Sequence, residues 1–184
     1  MASHPPERPT VSIRFSAAEI AARVEEMAAD LAKKLPADTL IVSVLKGSFV
    51  FSADLIRALS HAGANWSMDF ITLSSYGTGT ETSGQVRIVR DIVDDVRGRD
   101  VLLVDDILES GFTLSFAKNL LKERGAHRVW ICTLLDKPEK RRTDLKAEFV
   151  GFEAGDEFLV GYGLDWAHRF RGLPYIGVVE KAEK

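Results

Sequence analysis

Apolar residues along this chain follow two periods, and the period switches repeatedly. In FSAAEIAARVEEMAADLAKKLP, Ile20, Val24, Met27 and Leu31 recur at helical spacing. Ser16 and Glu19 have the S-x-x-E spacing of a capping box, Phe15 and Ile20 that of a hydrophobic staple, and Pro36 stops the helix. TLIVSVLKG is a short, nearly continuous apolar run, as a strand covered on both faces requires. SFVFSADLIRALSHAG returns to the helical pattern and ends at Gly63, and WSMDFITLSSYG reads as another strand. Residues 76 to 87 read as a polar loop rich in Gly and Thr. A strand over 101–104 follows, then a helix through TLSFAKNLLKERG with Gly125 at its C-cap, then the buried strand RVWICTLLD. AEFVGF, EFLVGYG and YIGVVE are shorter strand candidates.

Alternating strands and helices predict an α/β fold: a parallel, doubly wound sheet of about five strands flanked by helices. No internal repeat or low-complexity linker divides the 184 residues, so residues 1–184 read as a single domain. MASHPPERPTV, without an apolar h-region, reads as a disordered leader over residues 1–10 rather than a secretory signal.

Composition changes the picture little. A net charge of −3 gives no general attraction to nucleic acid or anionic membrane. The one cysteine, Cys132, lies in the apolar run VWICTLL, which marks a core residue rather than a nucleophile. A chain with one cysteine forms no internal disulfide, and no apolar run has the length of a membrane span; both fit a cytoplasmic location.

In open α/β sheets ligands bind beyond the carboxyl ends of the strands. Lys46-Gly47, Ser75-Tyr76-Gly77, Asp105-Asp106 and Asp136-Lys137 all follow predicted strands. The most informative stretch is VLLVDDILESGFTL, residues 101–114. A loop of small residues entering a helix N-terminus suits a phosphate, with Ser110 and Thr113 as hydroxyl donors and Gly111 allowing close approach. Asp105 and Asp106 can accept from sugar hydroxyls or help hold Mg²⁺, which leaves Glu109 as a candidate base. The plainer alternative for the same residues is a solvated acidic turn. No G-x-x-x-x-G-K-[ST] occurs, and YGTGTETSG lacks the third glycine and following helix of a dinucleotide fingerprint; it suits a lid better.

This stretch resembles the phosphoribosyl-pyrophosphate signature of type I phosphoribosyltransferases. LKGSFVF, SSYG, CTLLDKP, DEFLVGYGLD and RGLPYIG stand in the order found in hypoxanthine-guanine phosphoribosyltransferases, and the resemblance runs from about residue 11 to 180. It implies transfer of the 5-phosphoribosyl group from phosphoribosyl pyrophosphate to N9 of a 6-oxopurine, releasing pyrophosphate; hypoxanthine is the first expectation and guanine the second, with xanthine a further candidate. It implies Mg²⁺ as cofactor, a small hood from about residues 11–18 and 150–184, and a homodimer or homotetramer.

By the same resemblance Lys46, Gly47 and Arg171 contact pyrophosphate, with a cis peptide before Lys46. Ser75 and Tyr76 belong to the lid. Glu109, Ser110, Gly111, Phe112 and Thr113 form the 5′-phosphate loop, and Asp105 and Asp106 face the ribose and metal. Lys137 donates to the purine 6-oxo group, Phe158 stacks on the ring, Leu159 offers main-chain contacts, and Asp165 ligates Mg²⁺ beside the base. Outside those motifs Lys137 would read as a turn lysine, Phe158 as core, and Asp165 and Arg171 as surface charges. Two positions depart from the family pattern. Glu109 stands where an aspartate is usual as proton acceptor, and Phe112 where a polar residue is common. A rival reading is an RNA-binding attenuator of pyrimidine genes that keeps the same signature, but it calls for a basic RNA-binding face that this acidic chain does not display.

Overall fold

The computed structural model describes residues 10–76 and 85–180. Its large sheet contains β2 (Leu40–Leu45), β3 (Ser67–Tyr76), β4 (Gln85–Arg90), β5 (Asp100–Leu108), β6 (Arg128–Asp136) and β7 (Phe149–Glu153), in the order β4-β3-β2-β5-β6-β7. The five strands from β3 to β7 run parallel, and β4 closes one edge antiparallel to β3. The parallel strands are those the apolar runs predict. β4 lies partly in the segment read as loop, because QVRIVR is short, half polar and on an edge, where only one neighbour enforces a pattern.

Two further corrections follow from strand length. Ser75 and Tyr76 lie inside β3, paired with Val86 and Gln85, rather than beyond its end. β5 likewise continues past the apolar run to Leu108, because β6 is equally long and offers Thr133, Leu135 and Asp136 as ladder partners. Asp105 and Asp106 are therefore strand residues.

Helix α1 (Ala17–Lys34) begins at the capping box: the Glu19 N–H donates to Ser16 Oγ at 3.3 Å, and the Ser16 N–H donates to Glu19 Oε2 at 2.8 Å. With α2 (Phe49–His61) it covers one face of the sheet, over Ile41, Leu102, Val104, Cys132 and Leu134. Helix α3 (Phe112–Glu123) covers the other, over Leu40, Val42, Val101, Leu103 and Ile131. Alternate residues of one strand thus enter separate cores, which explains why these strands read as unbroken apolar runs.

A second, three-stranded sheet joins the beginning and end of the described chain. β1 (Val11–Phe15) and β8 (Leu159–Val160) both pair antiparallel with β9 (Ile176–Val179), which lies between them. Residues 150–153, assigned to the hood from sequence, instead extend the large sheet, with Val150 and Phe152 against Thr133 and Leu135. No helix among the described residues is long and apolar enough to cross a membrane.

Candidate active site

The carboxyl ends of β2, β5 and β6 converge on one cleft. At the end of β2 the Leu45–Lys46 peptide is cis, as the resemblance implies. Lys46 is exposed, while beneath this turn lies a buried chain of hydroxyls: Ser43 Oγ is 2.7 Å from Ser48 Oγ and 2.6 Å from Ser52 Oγ, and Ser48 Oγ donates to the Val44 carbonyl. Gly47 lies against Asp106; a Cβ built at Gly47 would overlap that carboxylate. Sequence reasoning misses the serines, because their spacing mimics ordinary strand and helix positions.

Successive strand residues face opposite sides, so Asp105 shares the α3 face with Leu103 while Asp106 turns toward Gly47. Asp105 is 8% exposed, and Asp106 is half-buried. Burial, reinforced by the neighbouring Asp106 charge, holds the Asp105 carboxyl well above the ordinary carboxylate range. Burial also raises Asp106, opposed by hydrogen bonds and by the positive charge of Arg171. Beside Asp105 in the ladder, the buried Thr133 hydroxyl has no protein hydrogen-bond partner.

After β5 the chain turns through Glu109, Ser110 and Gly111 into α3. Gly111 has φ +89° and forms the N-cap with no side-chain hydrogen bond, so the first-turn N–H groups of α3 have no side-chain cap. This arrangement attracts anions through both the free donors and the helix dipole. Phe112 occupies the first helical position, where its N–H remains available, although its ring does not line the cleft. The cleft, about 290 Å³, is lined by Lys46, Gly47, Asp105, Asp106, Glu109, Ser110, Gly111 and Thr113.

Lys137 follows β6 and is buried. Its Nζ donates to the Glu157 carbonyl at 2.8 Å and lies 3.4 Å from Glu109 Oε1. Phe158, next to Glu157 in sequence, is 54% exposed, whereas Leu159 is buried and paired with Val178. Asp165 and Arg171 are joined to each other, Arg171 Nη2 to Asp165 Oδ1 at 2.6 Å, and the His168 N–H donates to the other carboxylate oxygen at 2.7 Å. Arg171 also donates to the Gly163 carbonyl, and Gly163, at φ +102°, lies so close to the Gly47 carbonyl that a Cβ would collide with it. These contacts bring the 163–171 loop against the turn after β2. The residues of the lid reading beyond Tyr76, 77–84, lie outside the described residues.

Among the described residues no group of three or more His, Cys, Asp or Glu side chains forms a metal cluster. Asp165 faces Arg171 and does not join Asp105 and Asp106 in a shared set. The Asp105–Asp106 pair by itself is a hard-oxygen donor set with excess negative charge, which fits Mg²⁺. Cys132 is buried in the core and burial pushes its thiol up, away from nucleophilic use.

A parallel sheet with a phosphate-type turn after one strand, paired acids within it and polar turns after its neighbours defines a class. The chain belongs to the phosphoribosyltransferase family, residues 16–166 matching the family model described as the phosphoribosyl transferase domain. Within the family it is similar to the hypoxanthine-guanine phosphoribosyltransferase of Bacillus subtilis (strain 168), 48% identical over 172 residues, covering 92% of this chain and 93% of that protein. The hypoxanthine phosphoribosyltransferase of Escherichia coli (strain K12) is 44% identical over 173 residues, covering 92% of this chain and 96% of that one. A crystal structure of a hypoxanthine-guanine phosphoribosyltransferase from Bacillus anthracis superimposes with a TM-score of 0.87 at 42% identity, covering 94% of this chain and 100% of that chain.

Proposed function

We propose that this protein transfers the 5-phosphoribosyl group of phosphoribosyl pyrophosphate to N9 of hypoxanthine, with guanine second and xanthine a further candidate, in purine salvage. The observation that carries the choice of base is the buried Lys137, whose ammonium stands between the Glu157 carbonyl and the Glu109 carboxylate at the strand ends. A donor fixed there matches a 6-oxo group and rejects adenine, whose exocyclic group at that position is itself a donor. Nothing in the fold, the site or the similar proteins favours the RNA-binding reading.

In this reading the uncapped turn from Ser110 to Thr113 binds the 5′-phosphate, and Lys46, Gly47 and Arg171 hold the pyrophosphate. Phe158 stacks on the purine, Leu159 contributes its main chain, and Ser75 and Tyr76 exclude water. Glu109 accepts the purine proton as the new glycosidic bond forms, and the expelled pyrophosphate carries away the bonding electron pair. Asp105 and Asp106 would hold Mg²⁺, and Asp165 would ligate Mg²⁺ beside the base, where the ion would neutralise charge on the leaving group. Catalysis then rests on positioning and electrostatics, with no enzyme nucleophile. The exposed Phe49, at the start of α2, is the contact we assign to a homodimer or homotetramer, and we place the protein in the cytoplasm.

The test supplies phosphoribosyl pyrophosphate, Mg²⁺ and one base at a time. Nucleotide from hypoxanthine and guanine but not adenine or uracil is expected; product from uracil alone would overturn the purine assignment.

A further inference from the structure

Arg141 has no place in the reading above, yet its side chain is only 12% exposed and all three of its nitrogens are engaged. Nε donates to the Glu109 carbonyl at 2.9 Å, Nη2 to the Leu108 carbonyl at 3.3 Å and to the Asp136 carboxylate, and Nη1 to the Leu145 carbonyl. The Leu108 carbonyl also accepts from the Lys137 N–H at 2.9 Å. One guanidinium therefore grips the backbone at Glu109, the backbone just before it, and the carboxylate just before Lys137.

The segment that carries Arg141 reinforces this grip. The Arg142 N–H donates to the Ser110 carbonyl at 2.9 Å, and a Cβ at Gly111 would collide with Thr143 and crowd the Arg141 stem. The phosphate turn is thus backed along its outer side by residues 141–143. Pocket-lining residues face the ligand; Arg141 approaches the same residues from behind through their carbonyls.

We infer that Arg141 is a positioning residue that fixes the separation of Glu109 from Lys137, and so the register of the proton acceptor against the bound purine. The inference rests on the roles proposed for those two residues. Glu109 is half-exposed and has a longer arm than an aspartate, so its backbone anchor controls where the carboxylate can reach. Arginine is required because a planar fork serves several fixed acceptors at once, whereas a lysine ammonium is a single point.

The test is a double-mutant cycle of Arg141→Lys with Glu109→Gln, followed by radiolabelled hypoxanthine turnover and thermal unfolding. In the wild-type background Arg141→Lys is expected to lower kcat by about tenfold or more while the KM values change less than about threefold. In the Glu109→Gln background the same change is expected to cost less than about threefold, because no acceptor remains to be placed. Arg141→Gln serves as the second variant. Equal losses in both backgrounds, unchanged kcat, or unfolding of both variants below the assay temperature would each overturn the proposal. Wild-type turnover of hypoxanthine is measured in the same series, so failure of the underlying reaction is seen separately.

Discussion

Glu109 concentrates the chemistry at the residue scale. Its carboxylate lies 3.4 Å from Lys137 Nζ, so the two residues we propose as proton acceptor and 6-oxo donor are already in contact. Removing a general base costs about 10²–10⁴-fold in rate. Glu109→Ala is therefore expected to lower kcat by at least about a hundredfold with little change in KM, read from steady-state kinetics in hypoxanthine; an unchanged kcat would remove Glu109 from the mechanism. Asp105 gives a second prediction. Its carboxyl is raised by burial and by Asp106, so the folded protein binds this proton more tightly than the unfolded chain does. Stability is consequently lost as pH rises from the ordinary aspartate value through the raised one. Asp105→Asn should raise Tm at pH 7 and leave it unchanged near pH 3, although activity falls. A difference of about 1 kcal/mol would appear as about 2–4 °C in a chain of this size. A Tm gain larger at pH 3 than at pH 7 would contradict the buried charge.

At the scale of elements, the parallel strands and all three helices were legible because their apolar periods last long enough to show. The Ser16–Glu19 box states the start of α1 in four letters, and Ser16→Ala should lower Tm by about 2–4 °C, for a cap lost at about 1 kcal/mol, with kcat unchanged. Loss of activity in that variant would mean that α1 reaches the site. What sequence hid was dictated by neighbours. Asp105 and Asp106 read as a turn because carboxylates are improbable inside a sheet; β6 holds them there by pairing Thr133 with Asp105. β4 stayed hidden because an edge strand is constrained on one side only. The candidate site residues legible in the sequence were those with motifs, such as Lys137 and Gly111. Arg141 and Ser43 escaped because each acts on backbone or on other hydroxyls, and such partners leave no spacing rule along the chain.

At the scale of the whole molecule, the strands among the described residues form two sheets, with the cleft at the strand ends of the larger one. Divalent cation should couple the parts. If Asp105 and Asp106 hold Mg²⁺, its binding must displace the proton that burial retains, so Mg²⁺ affinity is expected to rise between pH 5 and pH 8. Calorimetric titration at the two pH values measures this, and equal affinity at both would place the ion elsewhere. In the proposed reading Lys46 and Arg171, assigned to the pyrophosphate, also offset the negative charge of this pair, as the charge of Arg171 already does at Asp106.

The smaller sheet carries a consequence for how the protein is made. β8, which presents Leu159, is held only by β9, and β9 in turn is edged by β1, where the Glu180 N–H donates to the Thr10 carbonyl. β1 must therefore wait for β9 before it finds its partner. A chain synthesised through Glu153 can complete the five parallel strands before Ile176–Val179 has been added, so the large sheet can form before the smaller one. The strand that seats Leu159 would thus be added to a chain whose large sheet already stands.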